Sequence, residues 1–156
     1  MEIFIKNEHP DIKVDTKKIK QHTAKVLDSM DCNEHEISIL FIGDQGIRDL
    51  NQRFRGIDSP TDVLSFPQLV EDSPETPGPP VLGDVAISLE TALTQSKEHG
   101  LSMDEELTLL LIHGILHLLG YDHELSDQEE DRMRKKTREL FITVYPGKRL
   151  LDTCNF

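Results

Sequence analysis

One segment dictates what the rest of this chain must do. From Leu107 to Leu119 the residues are leucine or isoleucine except at Thr108, His113, Gly114 and His117. Ser102-Met-Asp-Glu105 opens the run as a capping box, with Ser102 at the N-cap and Glu105 three positions on. Gly120 can take the left-handed conformation that ends a helix and turns the chain back. A helix on a protein surface keeps one face polar, whereas this one is apolar almost all round. It must therefore be a central helix, covered on every side by other elements.

Those elements are legible in outline. Residues 2–5 (Glu-Ile-Phe-Ile) suit a first strand, and Asp15 can cap a helix over about 16–30 with Ile19, Thr23, Val26, Leu27 and Met30 on one face. Residues 37–42 are rich in β-branched and aromatic side chains and end at Gly43, which reads as a buried strand. Asp44 is placed to cap a short helix, with Ile47, Leu50, Asn51 and Phe54 at helical spacing and Gly56 as its stop. Residues 61–66 form a third strand, closed by Pro67. Residues 67–82 hold five of the eight prolines together with Glu71, Asp72 and Glu75, an acidic proline-rich loop rather than a linker. Asp84 to Leu89 gives a fourth strand or the start of a helix that ends near His99 and Gly100. Ser126-Asp-Gln-Glu129 is a second capping box, opening a polar last helix to about Val144. The expectation is one α+β domain over residues 1–156: a small mixed sheet of about four strands, packed by about five helices.

Composition narrows the function classes. No apolar run reaches the length of a membrane span, and the first residues lack the pattern of a secretory signal. Cys32 and Cys154 lie far apart, outside any metal or redox spacing, and read as free thiols of a cytoplasmic protein. With 29 acidic and 17 basic residues, the net charge of −12 gives no global attraction to phosphate. A nucleic-acid partner must then be met by a local basic face. Arg48, Arg53 and Arg55 form one such cluster. Arg132, Arg134, Lys135, Lys136 and Arg138 form another, which reads as an ordinary solvated helix face.

The chemistry concentrates in His113-Gly-Ile-Leu-His117-Leu-Leu-Gly120-Tyr-Asp-His123. Histidines four apart on a helix lie one turn apart on the same side, so both imidazoles can reach one ion. The turn at Gly120 lets His123 approach as a third ligand. Three protein ligands leave a coordination position open, the catalytic rather than the structural pattern. An imidazole in an otherwise apolar helix is costly to desolvate without a partner, which favours a joint role for His113 and His117. Gly114 weakens the helix by about 1 kcal/mol relative to alanine and points to a close approach to the backbone. His9, His22, His35 and His99 lie in polar sequence surroundings and read as ordinary residues.

The same spacing occurs in metzincin proteases, which carry glutamate as general base straight after the first histidine. Here that position is Gly114, so a protease or other metallohydrolase is the weaker alternative. The histidine segment resembles the signature of the YbeY family of endoribonucleases. Asn51-Gln-Arg-Phe-Arg55-Gly-Ile-Asp58-Ser-Pro-Thr-Asp-Val-Leu-Ser-Phe-Pro67 is similar to a second block of that family, and Gly83-Asp84-Val85 to a third. The resemblance covers about residues 45–125.

That resemblance implies one zinc ion per chain on His113, His117 and His123, and a required arginine at Arg55. It also implies cleavage of single-stranded RNA with the ribosome as partner, in 16S rRNA maturation and ribosome quality control, with neither DNA nor membrane involved. On its own, Arg55 has another explanation, since a cation in the last turn of a helix gains from the helix dipole wherever it points. The resemblance is what makes it catalytic. Residues that bind the rest of the substrate are not readable, and no general base stands out. Asp122 and Glu124 flank His123, while Asp58 and Asp62 could orient Arg55. A third reading, a ribosome-associated module with a structural zinc, is disfavoured by the open coordination position.

Overall fold

The computed structural model describes residues 2–70, 79–122 and 124–150. Four strands and five helices follow in the order β1 (Glu2–Asn7), α1 (Thr16–Ser29), β2 (Glu36–Ile42), α2 (Asp44–Arg55), β3 (Val63–Val70), β4 (Val81–Ser88), α3 (Leu89–His99), α4 (Met103–Leu118) and α5 (Asp127–Val144). The sheet order is β1-β2-β4-β3. β1 and β2 are parallel, as are β2 and β4, and β3 closes one side antiparallel to β4. The fold is α+β with a mixed sheet, as the sequence predicts.

Alternation along the strands gives the sheet two apolar faces. Ile37, Ile39, Phe41, Val85 and Ile87 point into the main core, where α4 and α1 cover them. Ile42, Leu64 and Ala86 point the other way, onto Ile47 of α2. α4 is buried along almost its whole length, including Leu107, Leu109, Leu111, Ile112, Ile115 and Leu116. Its capping box is complete: Glu105 N–H donates to Ser102 Oγ at 3.1 Å, and Ser102 N–H to Glu105 Oε1 at 2.8 Å. Both faces of the sheet are thus occupied, and no described helix is long and apolar enough to cross a membrane.

Several local expectations need correction. Pro67 does not close the third strand, because β3 continues to Val70. β3 lies at the edge of the sheet, where a residue without an N–H is tolerated. The proline-rich segment is correspondingly shorter than 67–82: both its ends belong to strands, and residues 71–78 lie outside the described residues. Asp44 does not cap α2. The N-cap is Gly43, and the Asp44 carboxylate instead accepts from Ser88 Oγ and Thr91 Oγ1, both at 2.6 Å. The Asp44 amide in turn donates to Glu90 Oε1 at 2.8 Å, so the starts of α2 and α3 are tied in both directions. At α5, Ser126 caps Glu129 N–H, but the Glu129 side chain pairs with Arg132, so only half of that capping box forms.

Two of the histidines read as ordinary, buried His22 and half-buried His99, tie helices together. His22 Nδ1 sits 3.1 Å from Thr108 Oγ1 and 3.3 Å from Tyr145 Oη, clipping α1, α4 and the end of α5 together. Burial lowers its pKa below the usual histidine value. His99 is the other, and it belongs to the site described next. The basic face of α5 is indeed solvated and internally neutralised, with Arg132–Glu129, Arg134–Glu130, Lys135–Asp131 and Lys136–Glu139 pairs. Cys32 is buried and unbridged, and Cys154 lies outside the described residues.

Candidate active site

Along α4, Glu106, Leu110, His113 and His117 fall at spacings of four, three and four, which places them on one stripe of the helix. This stripe forms the floor of a cleft of about 510 Å³. β3 supplies one wall through Val63, Leu64, Ser65 and Pro67, Arg55 of α2 and Asp62 stand beside it, and Gln95 and His99 of α3 face them. Asp122, Glu124 and Glu130 also line it. The cleft thus gathers residues from α2, β3, α3, α4, the turn after α4 and α5.

His113 and His117 are half-buried, with Nε2 atoms 3.1 Å apart and ring planes at 68°. Two nitrogens about 2.0–2.1 Å from one tetrahedral ion stand about 3.3 Å apart, so the observed separation fits two ligands of a single ion. The donor set is chemically suited as well, because imidazole is a good ligand for zinc and its neighbours in the transition series. Among the described residues no group of three or more His, Cys, Asp or Glu converges as a metal site. His123, the expected third ligand, lies outside the described residues. The turn that leads to it is present: α4 stops at Leu118, Gly120 takes φ 95°, and its amide donates to His117 O at 3.0 Å.

Gly114 lies about 70° round α4 from the middle of this floor, where the helix meets the sheet. A Cβ there would come within 2.8 Å of Val85 Cγ1 and 3.3 Å of Ser65 Oγ, and Ser65 Oγ donates to Gly114 O at 3.0 Å. The close approach expected at Gly114 is therefore the sheet, not a ligand. The sheet also leaves no room at this position for the glutamate of the protease pattern.

Arg55 occupies the last turn of α2, where the chain leaves through Gly56 in the left-handed region at φ 70°. The amides of Gly56 and Ile57 turn back onto the carbonyls of Gln52 and Asn51. Buried Asn51 donates to Ser59 O at 2.8 Å, and Arg48 grips Asp58 with two bonds of 2.7 and 3.2 Å. These contacts fix the end of α2 and the loop behind it. Asp58 is engaged by Arg48, and Asp62 accepts from Val63 N–H and Gln95 Nε2, so neither orients Arg55. Arg55 makes no salt bridge with a described residue, and its side chain is exposed along the cleft.

Sequence reasoning missed the polar pair at the other end. His99 Nδ1 and Glu106 Oε2 are hydrogen-bonded at 2.9 Å, with the Glu106 side chain fully buried. Burial raises the Glu106 carboxyl above its usual range, and the His99 contact pulls the other way. Its second oxygen, Oε1, has no hydrogen-bond partner among the described residues. The signal was available: Glu106 is seven residues before His113 on the same stripe of an otherwise apolar helix.

The comparisons with known proteins agree with this geometry. The model of the family described as Endoribonuclease YbeY matches residues 4–144. The chain belongs to the YbeY family of endoribonucleases. Among curated relatives, Endoribonuclease YbeY of Syntrophus aciditrophicus is 41% identical over 93% of this chain and 91% of its own length. That of Persephonella marina is 44% identical over 91% and 92%. The solution structure of TM1509 from Thermotoga maritima superposes with a TM-score of 0.62 at 28% identity, covering 94% of this chain and 99% of that one. The reaction class is therefore hydrolysis within RNA, and the remaining question is which residues perform it.

Proposed function

We propose that this protein is a zinc-dependent endoribonuclease of ribosomal RNA maturation, cutting unpaired RNA in the cleft between α4 and β3. His113, His117 and His123 would hold one zinc ion per chain, and Arg55 would hold the scissile phosphate. The observation that carries the reading is convergence: Arg55 reaches the same cleft as His113 and His117 from a distant part of the chain. Arginine stays protonated and does not ligate metals, so its place beside a pair of converging imidazoles calls for an anionic substrate.

Bound zinc would act as a Lewis acid on a phosphoryl oxygen and acidify a bound water. The chain's own part is electrostatic and positional. Cleaving a phosphodiester concentrates negative charge on the phosphoryl oxygens, and the Arg55 guanidinium presents paired N–H donors in a fixed fork that suits them. Because α2 is tied at both ends, that fork is set before substrate arrives. Leu110 in the floor would give one side of the phosphate an apolar neighbour, which strengthens charge interactions beside it.

Single-stranded RNA is the form that fits, since an A-form duplex is too stiff and broad to enter a cleft of this size. The ribosome as partner and the cytoplasm as location are the expectations that accompany the family. The discriminating experiment offers metal-loaded and metal-stripped protein three matched substrates: single-stranded RNA, the same RNA as a duplex, and an unfolded polypeptide. Metal-dependent cleavage of the first alone is expected. Equal cutting of duplex, or cutting of polypeptide, overturns the reading.

A further inference from the structure

α2 ends in an aromatic residue between two arginines, Arg53-Phe54-Arg55. Arg55 lines the cleft, while Phe54, about 100° further round the helix, stays 59% exposed. Its ring is not loose. It meets Phe66 edge to face, with centroids 5.2 Å apart and planes at 63°. Phe66 is itself packed on the small core of Ile42, Ile47, Leu64 and Ala86. The Arg53 guanidinium lies 5.5 Å from the Phe54 centroid. Leu64, Ser65 and Pro67, the neighbours of Phe66 in β3, line the cleft together with Arg55, so the aromatic pair and the cleft share a wall.

Charge says what such a surface fits. The protein carries a net charge of −12, and most cations of α5 are neutralised by neighbouring carboxylates. On α2, Arg48 is engaged by Asp58, whereas Arg53 and Arg55 make no salt bridge with a described residue. Two guanidinium groups with no salt bridge to a described residue, flanking a braced, exposed ring, suit a strand that alternates negative phosphates with flat π-faces. Single-strand-binding surfaces are built from the same two components. An apolar partner helix would leave both arginines unmatched.

We propose that Phe54, braced by Phe66 and flanked by Arg53, is a stacking platform for an unpaired base of the RNA next to the phosphate held by Arg55. The proposal rests on the endoribonuclease reading above and adds a substrate-binding element to it. A base can lie on Phe54 only when it is out of a duplex, so the platform contributes to selection of single strands.

The test measures binding apart from cleavage. A short single-stranded oligoribonucleotide made resistant to cleavage by 2′-O-methyl groups and phosphorothioate linkages, and carrying a fluorescent end label, is titrated against the metal-loaded protein. Phe54→Ala is expected to weaken binding about five- to a hundredfold, the range for losing one stacked base. Phe54→Trp is expected to restore it, while Phe54→Leu, equally apolar but without a ring face, is not. Removing the base from successive nucleotides should reveal one position at which Phe54→Ala has no further effect. Full rescue by leucine, or equal sensitivity to Phe54→Ala at every abasic position, overturns stacking. An unchanged affinity also overturns it, including the case in which Phe54→Ala alters only self-association or protein capture. Loss of cleavage without loss of these binding differences would instead fault the catalytic assignment, leaving the platform standing.

Discussion

Val85 of β4 lays its side chain directly against the backbone of α4 at Gly114, where the helix has no side chain of its own to interpose. A Cβ at position 114 would lie 2.8 Å from Val85 Cγ1 and 3.2 Å from Cγ2. Gly114→Ala is therefore expected to destabilise the fold by about 1–3 kcal/mol despite alanine's better helix propensity, because overpacking outweighs it. Combining it with Val85→Ala should recover part of the loss. Urea unfolding of the single and double variants checks this, and a stabilised Gly114→Ala single variant refutes it. Gly114→Glu, which restores the metzincin pattern on paper, is expected to unfold rather than to hydrolyse peptides.

Arg55 separates substrate from metal. Arg55→Ala should keep its metal and its Tm, because the side chain is exposed and makes no salt bridge with a described residue. Its rate of RNA cleavage should fall by about two to three powers of ten, the size of a lost transition-state donor. Arg55→Lys should recover only part of that, since an ammonium keeps the charge without the fork. Wild-type cleavage by Arg55→Ala would mean that the arginine merely complements the dipole of α2.

The histidines should behave in the opposite way. Elemental analysis of the purified protein is expected to give about one transition-metal ion per chain, with zinc the best match to an imidazole donor set. His117→Ala should lower metal content and activity together. A metal content unchanged after replacing His113, His117 and His123 would remove the site altogether.

Glu106 provides a pH signature. Burial raises its carboxyl pKa above the ordinary 4.5 even against the opposing contact with His99. The folded protein therefore holds this proton more tightly than the unfolded chain does, and folding stability falls as pH rises from below 4.5 towards neutrality. Glutamine at this position does not titrate. The Tm of Glu106→Gln minus that of the wild type should rise across this window, as followed by thermal unfolding at a series of pH values. A difference that falls instead would show that the His99 contact outweighs burial.

What the sequence discloses here follows from how local each signal is. α4 was legible because its capping box and continuous apolar run are both local, and the pairing of His113 with His117 follows from helical pitch alone. The YbeY motifs pointed to the reaction. Contacts decided by packing stayed hidden. Glu106 and His99 meet only because α3 and α4 fold side by side, and nothing near His99 in sequence announces a buried carboxylate. Asp44 looked like a cap because its type and position suited one, but Ser88 and Thr91 compete for its oxygens from another helix. Pro67 looked like a strand end because its edge location is a property of sheet order, which no short window contains.

The tie between Asp44 and the start of α3 lies at the far end of α2 from Arg55 and, together with the Arg48–Asp58 and Asn51–Ser59 contacts at the near end, sets the direction of the helix axis. The twelve-residue helix puts roughly 17 Å of rod between Asp44 and Arg55. A tilt of about 5° at the Asp44 end would swing the Arg55 end by about 1.5 Å, more than the misalignment of about 1 Å that can slow a positioned reaction a hundredfold. Loosening the contacts of Asp44 with Ser88 and Thr91, none of which lines the cleft, would therefore misaim the guanidinium. Asp44→Asn should therefore slow cleavage by more than its effect on stability accounts for.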